Sequence, residues 1–175
     1  MIFLDTEFTD LKYPALLSFA MVSLDGSEIY TELDLMEDPV GQKRLKASSN
    51  FTRNVVIPQF GRIAGSMCSA KELGGRAGEW LIAQSATAAA EITVAFDHPC
   101  DLALLQHAMS EAGVWDQVWR TLRARNVGRI TGSAEGQRAA EASWLKSSQF
   151  RGLDRHHALA DALALKAAWL ASADQ

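Results

Sequence analysis

The fold is decided by the stretch LLSFAMVSLDG, which runs from Leu16 to Gly26. The mostly apolar run at Leu16–Leu24 predicts a buried strand, and Asp-Gly is the strongest short-range signal for a hairpin turn. The residues Glu28–Leu35 alternate apolar and polar side chains, and this alternation predicts the returning strand. A short apolar run at Met1–Leu4 predicts a strand that precedes both. The chain therefore opens with an antiparallel meander of three strands.

The rest of the chain predicts one more strand and a series of helices. Ser69 and Glu72 form a capping-box pattern at the start of a helix that runs to about Ala90. A fourth strand is predicted at Glu91–Phe96, and the further predicted helices are Asp101–Ala112, Ser133–Lys146 and Ala158–Ala173. Residues 37–68 and 114–126 favour no single interpretation. This order predicts the α/β class, with a mixed sheet flanked by helices.

Length and composition restrict the class of protein. The chain has 175 residues, which predicts one domain over residues 1–175. It has no apolar run of 18 residues, so we expect no transmembrane helix and no membrane partner. Met1 is followed at once by three apolar residues and Asp5, without the basic region of a signal peptide. Cys68 and Cys100 are too few for a disulfide framework, and a reducing cytoplasmic location is expected.

The charge is unevenly distributed along the chain. The net charge is −4, and Lys12 is the only base among the first 38 residues. Arginines are concentrated between Arg120 and Arg155, which allows a local nucleic-acid footprint or simply a solvated surface. An acidic enzyme can still act on nucleic acid when metal ions neutralise the phosphates at its site.

Acidic residues stand where the first predicted strand ends. Asp5 and Glu7 are two residues apart, so on a strand both side chains point to the same face. Two carboxylates side by side repel each other unless a cation neutralises them. Their hard oxygen atoms suit Mg²⁺ or Mn²⁺. The alternative is a pair of solvated acids at the end of a strand.

Three further acidic residues lie beside or within predicted helices. Asp97 and Asp101 follow the fourth strand, where both are also suited to capping the next helix. Asp161 lies within an Ala/Leu-rich helix, a poor place for an unpaired carboxylate, and His156 and His157 precede that helix. Four carboxylates and an imidazole are the groups needed for phosphodiester hydrolysis by two metal ions and a proton-accepting base.

Three stretches in this order resemble the motifs of the DEDDh 3′–5′ exonucleases. They are FLDTEFTD at Phe3–Asp10, VAFDHPCDLALL at Val94–Leu105 and HHALADA at His156–Ala162. The Asp-Thr-Glu-Phe opening is similar to that of a small bacterial and phage branch of stand-alone exoribonuclease-like domains. The resemblance extends over nearly the whole chain and implies an RNase H-like fold in a single DEDDh exonuclease domain.

The resemblance also implies a role for individual residues. It implies that two divalent ions, Mg²⁺ or Mn²⁺, are held by four carboxylates: Asp5, Glu7, Asp101 and Asp161. It further implies that His156 is the general base, and that Thr6 and Phe8 pack on the 3′-terminal nucleotide, where Phe8 can stack on a base.

Two positions need separate treatment. Asp97 stands where the family usually has Asn, and we expect it to contact the metal ligands and orient them without binding the metal itself. If both histidines were helical, His157 would share a face with Asp161 and His156 would not. The family pattern nevertheless favours His156 in a loop before the helix, with His157 as the substitute.

The sequence thus predicts a metal-dependent 3′–5′ exonuclease that releases nucleoside 5′-monophosphates from single-stranded nucleic acid, with RNA as the first choice. The alternatives are a proofreading-type DNA exonuclease, a non-catalytic RNase H-like binding module and, less favoured, a phosphatase with an aspartyl nucleophile. A homodimer is the base-rate expectation, with Trp115, Trp119 or Trp144 either at its interface or in the core.

Overall fold

The computed structural model describes residues 1–88 and 91–173. Within them, six strands form one mixed sheet: β1 (Ile2–Phe8), β2 (Leu16–Ser23), β3 (Glu28–Leu33), β4 (Met67–Cys68), β5 (Ile92–Phe96) and β6 (Leu122–Asn126). Their order across the sheet is β4-β3-β2-β1-β5-β6. The first three strands are antiparallel neighbours, whereas β4, β5 and β6 each join a parallel partner. The predicted α/β class with an antiparallel opening is confirmed.

Helices cover both faces of this sheet. In chain order they are α1 (Pro39–Ala47), α2 (Ala70–Ala88), α3 (Pro99–Glu111), α4 (Trp115–Val118), α5 (Gly128–Thr131), α6 (Ala134–Arg151) and α7 (Ala158–Ala173). On one face, α2 and α3 pack against β1, β2 and β3. On the other face, α7 packs against β1 and β2, and α6 lies along α7. Because both faces are covered, every residue of β2 is buried.

Local signals in the sequence placed several boundaries correctly. Gly26 has a φ of 95° in the hairpin turn, a conformation that glycine adopts without strain. The capping box is present: Glu72 Oε2 accepts from the Ser69 backbone N–H at 2.9 Å, and Ser69 Oγ accepts from the Glu72 N–H at 3.3 Å. The predicted end of α2 near Ala90 lies outside the described residues.

Two strand predictions need correction. β1 does not stop at Leu4 but continues to Phe8, because β2 pairs with it along its whole length. The acids therefore lie within the strand and not after it. β3 ends at Leu33, two residues early, because the Asp34 carboxylate accepts from the backbone N–H groups of Met36 and Glu37 and forms a turn.

The stretches without a prediction fold into short, irregular elements. After α1 the chain forms a π-helical segment at Thr52–Val56 and a 3₁₀ turn at Ile57–Gln59 before it reaches β4. Residues 114–126 divide into α4 and β6. The predicted helix at Ser133–Lys146 extends to Arg151, where Gly152 ends it with a left-handed φ of 66°.

The three tryptophans considered for an interface have different environments. Trp115 packs against the main core beside α2 and α3. Trp119 is 48% exposed, with the Arg120 guanidinium over its ring. Trp144 is half-buried on α6, where it packs against Ala140, Ala164 and Ala168.

Candidate active site

The site begins on the central strand of the sheet. In β1, Asp5 pairs with Ala20 and Glu7 pairs with Ser18 of β2. Because side chains alternate along a strand, the two carboxylates point to one face, as the sequence predicts. The register shifts between Glu7 and Phe8, so the ladder becomes irregular just beyond the acids.

Asp101 reaches the same place from the start of α3. It is 2% exposed, and its Oδ1 accepts a hydrogen bond from Thr6 Oγ1 at 2.7 Å. Its Oδ2 accepts from the His98 backbone N–H at 3.3 Å, while His98 Nδ1 accepts from the Cys100 N–H. The capping residue of α3 is therefore His98 and not Asp97. The Thr6 hydroxyl is directed to Asp101, although Thr6 also lines a cavity at the site.

Asp161 comes from the first turn of α7 and is held at both oxygen atoms. Its Oδ1 accepts from the Trp144 indole Nε1 at 2.5 Å, and its Oδ2 accepts from the His156 backbone N–H at 3.0 Å. The Arg155 guanidinium lies 4.4 Å from the centre of the Trp144 ring. Two donors therefore fix the orientation of this carboxylate before any ligand arrives.

The two histidines differ in their backbone conformation and in their surroundings. His156 has a φ of 67°, and its half-buried ring meets the Phe51 ring edge-on at 5.0 Å. His157 is 2% exposed, with its ring 4.3 Å from that of Tyr30. Its Nδ1 accepts from the Leu159 N–H at 3.2 Å, so it caps α7 from within the core. Only His156 of the two joins the acids.

The acids and His156 form two groups of three. Glu7, His156 and Asp161 each offer a ligand atom within 4.8 Å of the others, and so do Asp5, Asp97 and Asp101. Both groups could hold a metal ion. Asp97, which was expected behind the metal ligands, is exposed and lies among them.

Burial and mutual repulsion raise the pKa values of the carboxyls. Burial, followed by repulsion from Asp161, Asp101 and other acids, holds the pKa of Asp5 well above its usual range. The same causes raise the pKa of Glu7 to about 9. Burial raises the pKa of Asp101 to about 7 against the hydrogen bond from Thr6. It raises that of Asp161 to about 6. The arrangement therefore favours protons or cations.

The donor set fits a hard divalent cation. The buried Asp5 Oδ2 has no hydrogen-bond partner among the described residues. A buried acceptor without a donor is unfavourable unless a cation or a water molecule satisfies it. Carboxylate oxygens match the preferences of such a cation, whereas a thiolate-rich zinc centre would need cysteines.

Two cavities meet at the acids. One of about 540 Å³ is lined by Phe8, Leu11, Phe51 and His98, and the Phe8 and His98 rings stack with centroids 6.4 Å apart. The other, about 410 Å³, lies between α5, α6 and α7. The two cavities share four residues: Asp5, Asp97, His156 and Asp161. A ligand held at the acids therefore has space on both sides.

Sequence reasoning missed the side chains that support this cluster. Trp144 lies 17 residues before Asp161 on another helix, and no motif marks it. Phe51 lies in the segment that favoured no interpretation. The hydrogen bond from the Trp144 indole to Asp161 can be recognised only when the packing of α6 on α7 is known.

Comparisons with known proteins add no family assignment. No protein-family model matches the chain, and no curated protein matches it significantly. Among the described residues, no helix combines the length and apolar character needed to cross a membrane.

Proposed function

We propose that this protein is a metal-dependent 3′–5′ exonuclease of the DEDDh type. It removes nucleoside 5′-monophosphates from the 3′ end of single-stranded nucleic acid, with RNA as the preferred substrate. The observation that carries the proposal is the meeting of Asp5, Glu7, Asp101, Asp161 and His156 from three distant segments. They meet beside a cavity with aromatic walls.

The architecture supports this proposal. A six-stranded mixed sheet with an antiparallel opening and helices on both faces is compatible with an RNase H-like fold. Asp5 and Glu7 lie on a central strand of this sheet, and Asp101 and Asp161 lie on the first turns of two helices. Here those elements are β1, α3 and α7.

The carboxylates are the proposed ligands of two Mg²⁺ or Mn²⁺ ions. Glu7 and Asp161 belong to one group of ligand atoms, and Asp5, Asp97 and Asp101 belong to the other. When bound, the ions neutralise charge on the phosphate and lower the pKa of the attacking water. Trp144 and the His156 backbone hold Asp161, while Thr6 holds Asp101, so the ligand orientations are fixed in advance.

His156 is the proposed general base. Burial, followed by the nearby Arg155 guanidinium, lowers the pKa of His156 below its usual value. Its imidazole is therefore uncharged at neutral pH and able to accept the proton of the attacking water. His157 is buried and lines neither cavity, so it serves the fold.

The larger cavity suits one terminal nucleotide. Its volume of about 540 Å³ lies in the range of small-ligand sites. The rings of Phe8, Phe51 and His98 offer faces and edges on which any base can stack without regard to sequence. Stacking of this kind needs an unpaired base, which favours a single-stranded 3′ end.

The test is hydrolysis of single-stranded RNA by the Asp5→Asn and Asp161→Asn variants in Mn²⁺. We expect both rates to fall at least about 100-fold, because even an outer partner of a metal ligand contributes 10- to 100-fold. Asp116→Asn, on the exposed first turn of α4, is the matched control and keeps the wild-type rate. Normal rates in both site variants would contradict the proposal. Binding of RNA without cleavage by the wild type would instead favour a binding module.

A further inference from the structure

The segment between α1 and β4 connects the two halves of the site. At one end, the Ser49 backbone N–H donates to the Thr9 carbonyl oxygen at 2.8 Å, and Thr52 Oγ1 donates to the same oxygen at 3.0 Å. Thr9 directly follows β1, the strand that carries Asp5 and Glu7. This end of the segment is therefore fixed to the acidic strand.

The other end of the segment holds the loop that carries His156. Gln59 is the last residue of the 3₁₀ turn and is 4% exposed. Its Nε2 donates to the Arg155 carbonyl oxygen at 2.8 Å, and its Oε1 accepts from the Asp154 backbone N–H at 3.2 Å. One buried amide thus satisfies a donor and an acceptor on consecutive residues.

The backbone that follows is unfavourable without support. His156 has a φ of 67°, and a residue other than glycine in the left-handed region is strained by about 1 kcal/mol or more. The surrounding structure has to hold such a residue in place. In this conformation a ring nitrogen of His156 lies within 4.8 Å of the carboxylate oxygens of Glu7 and Asp161.

We propose that Gln59 is a positioning residue that holds His156 in its left-handed conformation through the backbone of Asp154 and Arg155. Its effect on catalysis rests on the proposed function, in which His156 is the base. The Gln59 side chain makes its hydrogen bonds to the backbone of Asp154, Arg155 and Val55, and to none of the carboxylates that group around His156.

A second contact to this loop differs in kind. Arg62 Nη1 donates to the Gly152 carbonyl oxygen at 2.5 Å and to Asp154 Oδ2 at 3.0 Å. This contact is exposed to solvent, where an ion pair contributes little. It holds the start of the loop and does not reach the residue next to His156. The buried amide of Gln59 is therefore the contact to test.

The experiment compares Gln59→Met with Gln149→Met. Methionine keeps the length of the side chain and removes both hydrogen-bonding groups, and Gln149 is an exposed residue of α6. The first measurement is the NOE between the amide and α protons of His156 by NMR, read together with their three-bond coupling. The coupling alone takes similar values at positive and at some negative φ, whereas the two protons lie closest together when φ is positive. We expect Gln59→Met to weaken this NOE and Gln149→Met to leave it unchanged. An unchanged NOE and coupling in Gln59→Met overturn the inference.

The second measurement is a kinetic cycle with His156→Ala. We expect Gln59→Met to lower kcat about tenfold or more, since small displacements of a catalytic group have effects of this size, with KM unchanged. Added to His156→Ala, it should lower kcat no further, because its effect passes through the imidazole. A rise in Tm on adding Mn²⁺ should persist but be smaller than in the wild type, because the His156 N–H that orients Asp161 moves with the loop, whereas a general loss of structure would abolish it.

The two proposals fail in different ways. If the wild type cleaves RNA and Gln59→Met keeps its kcat, the role of Gln59 is overturned and the exonuclease stands. If the wild type cleaves nothing, the proposed exonuclease function is overturned, and the NMR measurement on His156 alone decides the role of Gln59. Should Gln59→Met not fold, Gln59→Glu takes its place, since it keeps the acceptor for Asp154 and loses the Nε2 bonds to Arg155 and Val55.

Discussion

At the scale of single residues, His156 and His157 are adjacent in sequence but differ in backbone conformation, burial and contacts. The first has a left-handed φ and joins the acids, whereas the second is buried against Tyr30 and caps α7. We expect His156→Ala to lower the turnover number about 100-fold or more, the usual contribution of a general base. We expect His157→Ala to keep most activity but to lower the free energy of unfolding by about 1–3 kcal/mol.

Turnover assays and urea denaturation of the two variants check this prediction. His107→Ala, at an exposed position of α3, is the control and should change neither quantity by much. The opposite pattern, with His157→Ala inactive and His156→Ala active, would show that the assignment of the base is wrong.

Trp144 provides a second prediction at this scale. Trp144→Phe removes the indole N–H from Asp161 but keeps an aromatic ring beside Arg155. We expect Mn²⁺ affinity, measured by calorimetry, to fall about tenfold, because an outer hydrogen bond orients the metal ligand. Trp80→Phe, on α2, is the matched control and should leave the affinity unchanged. Equal affinities in wild type and Trp144→Phe would show that the indole does not support the ligand.

Motif residues could be predicted from the sequence, and their supporting residues could not. Asp5 and Glu7 follow from their spacing on a strand; Glu7 groups with His156 and Asp161, and Asp5 groups with Asp97 and Asp101. Trp144 reaches the site from another element through one hydrogen bond, and Gln59 reaches the His156 loop through two. Such contacts depend on tertiary packing, and no local pattern of residue types records them.

At the scale of elements, strand order explains why distant acids meet. β1 and β5 are parallel neighbours, so their carboxyl ends lie at the same edge of the sheet. Asp97 follows β5 directly and α3 begins beside it, which brings Asp101 to that edge. In open α/β sheets this crevice is the usual place for a ligand.

The sequence predicted the regular elements better than the irregular ones. The β2–β3 hairpin, α2 and α7 follow from apolar periodicity, a capping box and helix propensity. β1 is longer than its apolar run predicts, because the backbone of its acidic residues also pairs with β2. This pairing is a tertiary contact, and the polar side chains give no sign of it. The segment at Thr52–Val56 adopts a π-helix, which has no sequence pattern of its own.

The approach of α2 to α3 gives a prediction for a pair of glycines. A methyl group on Gly74 would lie 2.0 Å from the Ala108 carbonyl oxygen of α3, whereas one on Gly75 would meet nothing within 4 Å. We expect Gly74→Ala to lower the free energy of unfolding by about 1–3 kcal/mol, because the helices must separate. Gly75→Ala should raise it by about 0.5–1 kcal/mol through helix propensity.

Urea denaturation of the two variants measures both effects. Because α3 carries Asp101, Gly74→Ala should also weaken Mn²⁺ binding, while Gly75→Ala should not. Equal stabilisation by the two alanines would show that α2 and α3 are farther apart in solution.

At the scale of the whole molecule, the acidic cluster makes stability depend on pH. Folding raises the pKa of Glu7 to about 9 and holds that of Asp5 well above its usual range. The folded protein then binds more protons than the unfolded chain, so the free energy of unfolding falls as pH rises. His157 has the opposite effect, because burial lowers its pKa to about 4. Its contribution makes the free energy of unfolding rise with pH, but only up to its unfolded pKa of about 6.5.

We therefore expect the metal-free protein to lose stability between pH 6.5 and 8.5, on the order of 1 kcal/mol per pH unit. Mn²⁺ should restore the loss, with a rise in Tm that is larger at pH 8.5 than at pH 6.5. Asp5→Asn should match or exceed the metal-free wild type in Tm, most clearly at pH 8.5, because one repelling charge is gone. Thermal unfolding checks all three expectations. A metal-free Tm that rises with pH over this range would contradict the account of the cluster.

In the proposed function, these residues remove nucleotides from a 3′ end with the help of divalent metal. The decisive assay follows a 5′-labelled single-stranded RNA and its DNA counterpart in Mn²⁺, in Mg²⁺ and in chelator. We expect a ladder that shortens from the 3′ end, disappears with chelator and forms faster on RNA. Cleavage of neither polymer with either metal, or cleavage that chelator does not affect, would contradict the proposed function.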